Sequence, residues 1–296
     1  MHRHFARVGI VTRPDTPDIA ADLCRLIEFL HGLGRSVFLD AASAADALGS
    51  TPLPEHCELC DTAQLGKHCH LIVVLGGDGT FLSAARHVAP YRVPVAGVNL
   101  GHLGFLSQIP REKMTEELGK ILRGQYLVEN CILLQAEVWR NGEEIYRNLA
   151  LNDVMLSRGL TGKMIEFEVF INKEFVYTQR SDGLIVSTPT GSTAYALAAG
   201  GAILQAGLNA FTLVPVCPQS LTNRPIVIAD TAEIEILVTK AGDARVHYDG
   251  QSFTDIQSMD RITLRRYHHA VKVLNPAHYQ YYATLRQKLH WGEQLV

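Results

Sequence analysis

Two glycine-rich strings carry the residue types that could do chemistry. The first, over residues 71–85, runs Leu-Ile-Val-Val-Leu into Gly76-Gly77-Asp78-Gly79-Thr80 and then into apolar residues at helical spacing. Three glycines in four positions permit positive φ and let backbone N–H groups come close to a bound group. Between a strand end and a helix start, such N–H groups form an anion site suited to phosphate. An acidic residue there is repelled by phosphate. Asp78 is better placed to take a proton from an attacking hydroxyl, or to hold a metal ion that bridges phosphates. No Walker-type lysine follows, and Gly97, Gly101 and Gly104 lack the dinucleotide-fingerprint spacing. The second string, residues 181–202, brings a strand (Leu184–Ser187) to Thr188-Pro189-Thr190-Gly191-Ser192-Thr193, with Gly200-Gly201 ending the helix that follows. Four hydroxyls and several N–H groups at one helix start suit a polar ligand with many acceptors. Ser192 or Thr193 serves equally well as a helix cap, and the two roles are compatible.

The elements that must position these loops follow from periodicity. Between Ala6 and about Gly124, short apolar runs alternate with amphipathic stretches. The pattern predicts strands at Val8–Val11, Val37–Leu39, Leu71–Leu75 and Val95–Val98, with helices at Ile19–Leu30 and Thr80–Val88. Such alternation implies βαβ units and a mostly parallel sheet. From Leu127 onward the period is two, in Leu133–Trp139, Glu166–Phe170, Ala232–Val238, Arg245–Tyr248, Arg261–Leu264 and Val271–Leu274. Turn pairs such as Asn141-Gly142 and Asp249-Gly250 separate them, as hairpins require. A helix over Thr193–Ala199 interrupts this antiparallel half. A last amphipathic helix, roughly 277–289, sets Tyr279, Tyr282, Leu285 and Leu289 on one stripe.

Composition bounds the function classes. The 296 residues suggest about two domains at roughly 150 residues each. Apolar residues at 47% and charged residues at 19% describe an ordinary globular chain and exclude a disordered one. Lys+Arg 27 against Asp+Glu 30 leaves a net charge of −3, so no basic excess points to nucleic acid or a membrane surface. Apolar runs fall far short of the ~20 residues of a spanning helix, and the first residues lack the apolar core of a signal peptide. Six cysteines do not make a disulfide framework, so a cytosolic protein is expected. His56-Cys57-Glu-Leu-Cys60 with His68-Cys69-His70 invites a zinc reading. Against it, the segment reads as a loop, and His70 abuts a buried strand that limits its freedom to turn. Cys24, on an apolar helical face, reads as core.

Further strings carry a resemblance. Gly76–Thr80, Asn99-Leu-Gly-His-Leu-Gly-Phe-Leu106, Leu151-Asn-Asp-Val154, Ser181–Gly201, Asn223-Arg-Pro-Ile-Val-Ile228 and Tyr279–Leu289 resemble, in this order, motifs of the bacterial NAD kinase family. The likeness runs from about residue 70 to the end. Gly-Gly-Asp-Gly alone is shared with lipid kinases and phosphofructokinases, whereas Thr-Pro-Thr-Gly-Ser-Thr-Ala-Tyr is far more specific. The resemblance implies a fold of class α/β + β: a Rossmann-like domain over 1–125, a β-sandwich-like domain over 126–275, and residues 276–296 returning to the first. It implies ATP-dependent phosphorylation of the 2′-hydroxyl of the adenosine ribose of NAD, with a divalent cation; since the Gly76–Thr80 loop has no lysine, Mg²⁺ is expected to supply most of the neutralisation. Asp78 is then the general base and Gly79 its neighbour in the phosphate loop. Asn152 and Asp153 bind the adenosine moiety. Lys163, Arg180 and Asp182 lie around the dinucleotide, Thr193, Ala194, Tyr195, Ala196, Leu197 and Ala198 cradle the adenosine end, and Gln251 completes the pocket. His102 is a candidate phosphate contact, and no residue is assigned as a metal ligand. The family likeness also implies a homodimer or homotetramer with sites completed across subunits, Asp182 or a neighbour reaching the adjoining site. Two rivals stand: a lipid kinase sharing Gly-Gly-Asp-Gly, and a dinucleotide sensor without activity.

Overall fold

The computed structural model describes residues 5–13, 19–101, 104–160 and 162–292. The chain divides between Asn130 and Cys131 and again between Ala270 and Val271, so the first unit comprises the N-terminal part together with the segment from Val271 onward.

In the first unit an eight-stranded sheet runs in the order Cys57–Cys60, Ser36–Asp40, Arg7–Thr12, Leu71–Leu75, Val95–Asn99, Val271–Pro276, Tyr126–Cys131, with the short Ile109–Pro110 beside Val95–Asn99. The five strands from Cys57–Cys60 to Val95–Asn99 pair in parallel. Parallel sheets are covered on both faces, and Leu71–Leu75 is accordingly buried at every position. The helix Ala20–Gly32 buries Leu23, Leu26, Ile27 and Leu30, the spacing of one helical face. Asp40 and Asp61 cap the next two helices, accepting from the Ser43 N–H at 3.1 Å and the Gln64 N–H at 2.6 Å. Strand order reverses between Arg7–Thr12 and Leu71–Leu75. That switch point is where open α/β sheets leave a crevice beyond the strands' carboxyl ends, and the Gly76–Thr80 loop begins there.

The second unit holds two six-stranded antiparallel sheets. One runs Ile226–Ala229, Ala210–Val216, Gly183–Ser187, Asp153–Ser157, Arg245–Tyr248, Ser252–Asp255. The other runs Glu174–Ser181, Ile165–Ile171, Ile234–Lys240, Arg261–Arg266, Leu134–Arg140, Glu143–Ala150. Their alternate residues, including Phe167, Phe211 and Tyr248, form one buried core.

Several elements differ from their expectation. Cys57–Cys60 is an edge strand paired with Ser36–Asp40, not a loop; four residues with two polar flanks give almost no periodic signal. The strands Tyr126–Cys131 and Val271–Pro276 complete the first sheet although their alternation matches the antiparallel half. Period two reports a strand, not which sheet it joins. The final helix starts only at Tyr281 and buries Thr284 and Leu285, leaving Tyr282 57% exposed, so the expected stripe is not a core face. The helix expected over Thr193–Ala199 is a 3₁₀ turn, Thr190–Thr193, followed by the four-residue helix Tyr195–Ala198. Among the described residues no helix is long and apolar enough to cross a membrane.

Candidate functional site

In the first unit the buried strand Leu71–Leu75 delivers the glycine loop. The Gly76 N–H donates to the Val98 carbonyl at 2.9 Å, and Gly77 precedes the helix Asp78–Val88, whose N-terminus carries no side-chain cap. None of Gly76, Gly77 and Gly79 uses the positive φ that the glycines permit. Close approach matters more: a Cβ on Gly76 would lie 2.6 Å from the Thr80 hydroxyl oxygen.

Asp78 opens that helix half-buried, and its carboxylate is tethered from a second loop. Oδ2 accepts the Phe105 N–H at 2.7 Å, and Oδ1 accepts the N–H groups of Leu106 and Ser107 at 3.1 Å each. Gly104 makes room for this, since a Cβ there would sit 2.0 Å from Oδ1. A carboxylate offers about four lone-pair positions. Three are used, so one on Oδ2 remains open to a proton or a cation. His102 lies outside the described residues.

In the second unit a cavity of about 420 Å³ is lined by Asn152, Asp153, Ala194 and Tyr195, all expected, and by Met155, Ser157, His247, Asp249 and Gly250, which were not. The turn carrying Asn152 is held on every side. Asp249 accepts the N–H groups of Leu151, Asn152 and Asp153 at 3.0, 2.8 and 3.1 Å. The Thr188 N–H donates to the Asn152 carbonyl at 2.9 Å, and the Thr188 hydroxyl to the Leu151 carbonyl at 2.6 Å. Gly191 lets the two loops touch, because a Cβ there would meet the Asn152 carbonyl oxygen at 2.1 Å. Burial and then the charge of Asp249 push the Asp153 carboxyl up to about 7.

Three of the four hydroxyls of the second string, expected to converge on a polar ligand, are engaged by the chain's own backbone. Thr188 and Ser192 are fully buried and bond the chain's own carbonyls, Ser192 to Pro189 at 2.6 Å, while Thr193 bonds the Thr190 carbonyl at 3.3 Å. Short hydroxyl side chains satisfy nearby backbone readily, and here that builds the turn. Ala196 is buried against Ile185 and Val214, and neither Leu197 nor Ala198 lines the cavity. Four more expected residues also lie away from the lining. Lys163 is exposed. Arg180 is exposed on its strand, 3.8 Å from Glu166, and borders a separate depression with Gln179 and Asn223. Asp182 pairs with Arg158 at 2.7 Å. Gln251 is exposed in a hairpin turn, its N–H donating to the Tyr248 carbonyl at 3.0 Å. The residues that sequence reasoning missed had faint signals: His247 is a polar residue on the face of its strand opposite the core residues Val246 and Tyr248, and Asp249 was legible only as a turn former.

All six cysteines are free. Among the described residues no group of three or more His, Cys, Asp and Glu side chains is placed to hold a metal. Burial pushes the Cys57 and Cys69 thiols up to about 12, with Cys60 adding to both shifts, and the His70 ring is engaged by Arg7 at 3.1 Å.

The model of the ATP-NAD kinase N-terminal domain matches residues 8–126, and that of the ATP-NAD kinase C-terminal domain matches residues 151–275. An NAD kinase of Neisseria gonorrhoeae (strain NCCP11945) is 62% identical over 296 residues, covering 100% of both chains. The fold is shared with a yeast NADH kinase complexed with NADH, at TM-score 0.89 and 24% identity over 98% of this chain and 89% of that one. It is shared also with an NAD kinase from Archaeoglobus fulgidus in complex with ATP, at TM-score 0.73 and 26% identity over 96% and 98% of the two chains. A fold with an α/β unit built on a largely parallel sheet and a second unit of antiparallel sheets is thus shared with solved kinases. The chain belongs to the ATP-NAD kinase family.

Proposed function

We infer that this protein is an NAD kinase, transferring the γ-phosphoryl group of ATP to the 2′-hydroxyl of the adenosine ribose of NAD. The observation that carries this reading is the full-length 62% identity with an NAD kinase. In the step proposed, the 2′-oxygen forms a bond to γ-phosphorus as the bond to the β–γ bridging oxygen breaks, and ADP leaves. The hydroxyl proton passes to the open lone pair of Asp78 Oδ2, a role supported by the three N–H groups that fix this carboxylate. Phosphoryl transfer is loose in its transition state, so positioning and neutralisation dominate. The N–H groups of the loop at Gly79 are suited to the phosphates. A divalent cation, Mg²⁺ in our reading, would supply charge neutralisation to the transferring phosphoryl group. Because the open position of Asp78 takes the proton, the cation would be held by the nucleotide's own phosphates and by water, ligands that Mg²⁺ commonly keeps.

Asn152, Asp153, Ala194 and Tyr195 are proposed to hold the adenosine end, a role supported by their shared cavity. Arg180, Asp182, Lys163 and Gln251 are proposed to reach the dinucleotide through an assembled homodimer or homotetramer. Free cysteines throughout suit a reducing compartment and support a cytoplasmic location.

The lipid-kinase reading rests on the Gly-Gly-Asp-Gly string alone, whereas the full-length identity with an NAD kinase favours the dinucleotide. The test is a coupled assay for NADP⁺ formed from NAD and Mg-ATP, run beside a diacylglycerol acceptor. NADP⁺ formation with no lipid product is expected; no turnover of NAD, or a phospholipid product, overturns the reading.

A further inference from the structure

We propose that Asp249 is a positioning residue for the dinucleotide site, its carboxylate fixing the Leu151–Asp153 turn that presents Asn152 and Asp153 to the cavity. The proposal rests on the reading of Asn152 and Asp153 as binding residues. Three successive backbone N–H groups form a concavity that attracts an anion. Here the chain fills that concavity itself: the three N–H groups of residues 151–153 all end on Asp249. A ligand phosphate therefore has no place in this turn, and the turn offers its side chains.

Asp249 reaches the turn because it occupies the left-handed region, with φ +52°, and is followed by Gly250 at φ +64°. Two successive positive φ values define the tight turn between Arg245–Tyr248 and Ser252–Asp255. In return, the Asp249 N–H donates to the Asp153 carbonyl at 2.9 Å. With Thr188 holding the carbonyls of Leu151 and Asn152, the turn's backbone is tied from both sides. Asp249 also shares the cavity wall with Asp153, His247 and Tyr195. The strand Gly183–Ser187 on the other side of Asp153 has no titratable side chain, and Arg245 lies further along the hairpin strand. Removing the Asp249 charge therefore does two things: it loosens the turn and makes Asp153 easier to ionise.

The test is Asp249→Asn, which keeps the size but turns an amide NH₂ toward backbone donors. We expect KM for NAD to rise about 10- to 100-fold while kcat at saturating NAD and KM for ATP change less than about threefold. The midpoint of the pH dependence of KM for NAD moves to lower pH than in the parent. An unchanged KM and pH profile in a folded variant overturns the proposal. So does an equal fall in kcat/KM for both substrates with a lowered thermal midpoint and no pH displacement, which marks a purely structural role. If the variant does not fold, amide exchange in the parent decides: protected N–H groups at 151–153 support the tether, and rapid exchange there overturns it. Asp153→Ala runs in parallel. An inert Asp153→Ala beside a responsive Asp249→Asn removes the role of Asp153 and leaves positioning of Asn152, whereas an inert Asp249→Asn defeats the proposal whatever Asp153→Ala does.

Discussion

A carboxylate that already accepts three N–H groups has one orientation and one free lone pair, and this is the condition of Asp78. In Asp78→Asn the amide cannot take the proton and must turn its NH₂ toward at least one backbone donor. We expect kcat to fall about 10²- to 10⁴-fold, with NAD affinity in equilibrium binding little altered; turnover near the parent's would refute the base. If Asp153 holds the adenosine end as proposed, Asp153→Ala leaves polar groups of the ligand unpaired and costs roughly 1–3 kcal/mol of affinity for NAD and NADP⁺ alike. Calorimetry giving unaltered dinucleotide affinity would count against the role. Asp153 also couples stability to pH. Its folded value, about 7, lies above its ordinary 3.8, so its contribution is fully present below pH ~4 and is lost as pH rises through ~7. Asp153→Asn should therefore melt above the parent at pH 8, with the gap narrowing as pH falls and closing only toward pH ~4. The Gly76–Thr80 loop and the Asn152-Asp153 turn could be located in the sequence because each is a short, contiguous string. Asp249 could not, since it serves N–H groups 96 to 98 residues away along the chain, and no local string records such a debt.

At the scale of elements, both loops use one device: a carboxylate from one segment accepts three successive N–H groups of a distant one. Phe105–Ser107 answers to Asp78 and Leu151–Asp153 to Asp249. The elements behind them were unevenly readable. Leu71–Leu75 is a continuous apolar run, as a strand covered on both faces must be. The hydroxyl-rich string suggested a ligand cradle, yet buried Thr188 and Ser192 spend their bonds on their own backbone. The Asp78 tether makes a prediction about a residue without a side chain. In Gly104→Ala the new methyl carbon would start 2.0 Å from Asp78 Oδ1, so loop or carboxylate must move. Displacements near 1 Å cost about 10²-fold in rate, while overpacking costs about 1–3 kcal/mol of stability. We expect a folded variant by circular dichroism with kcat reduced by about that factor; full activity would mean the tether is dispensable.

For the whole molecule, the open question set by the fold is what meets the outer strand Glu174–Ser181, which pairs on one side with Ile165–Ile171 and ends its sheet. Edge strands are usually paired, blunted or covered. This one exposes Phe175 at 54% and Val176 at 37%, and Arg180 and Asp182 lie at its end away from the lining of the cavity that holds Asn152 and Asp153. Asp182 already has Arg158 as an intrachain partner, so charge alone does not demand a neighbour; the apolar pair on the edge is the stronger argument for one. We expect the active enzyme to sediment as a dimer or tetramer of the 32.6 kDa chain. Placing a charge on the edge with Val176→Lys should shift it toward the single chain, and KM for NAD should rise in step if a neighbour completes the site. A single species of about 33 kDa, fully active at assay concentration, would refute the shared site. An oligomer whose dissociation by Val176→Lys leaves KM for NAD unchanged would separate assembly from binding and confine Arg180 and Asp182 to roles within one chain.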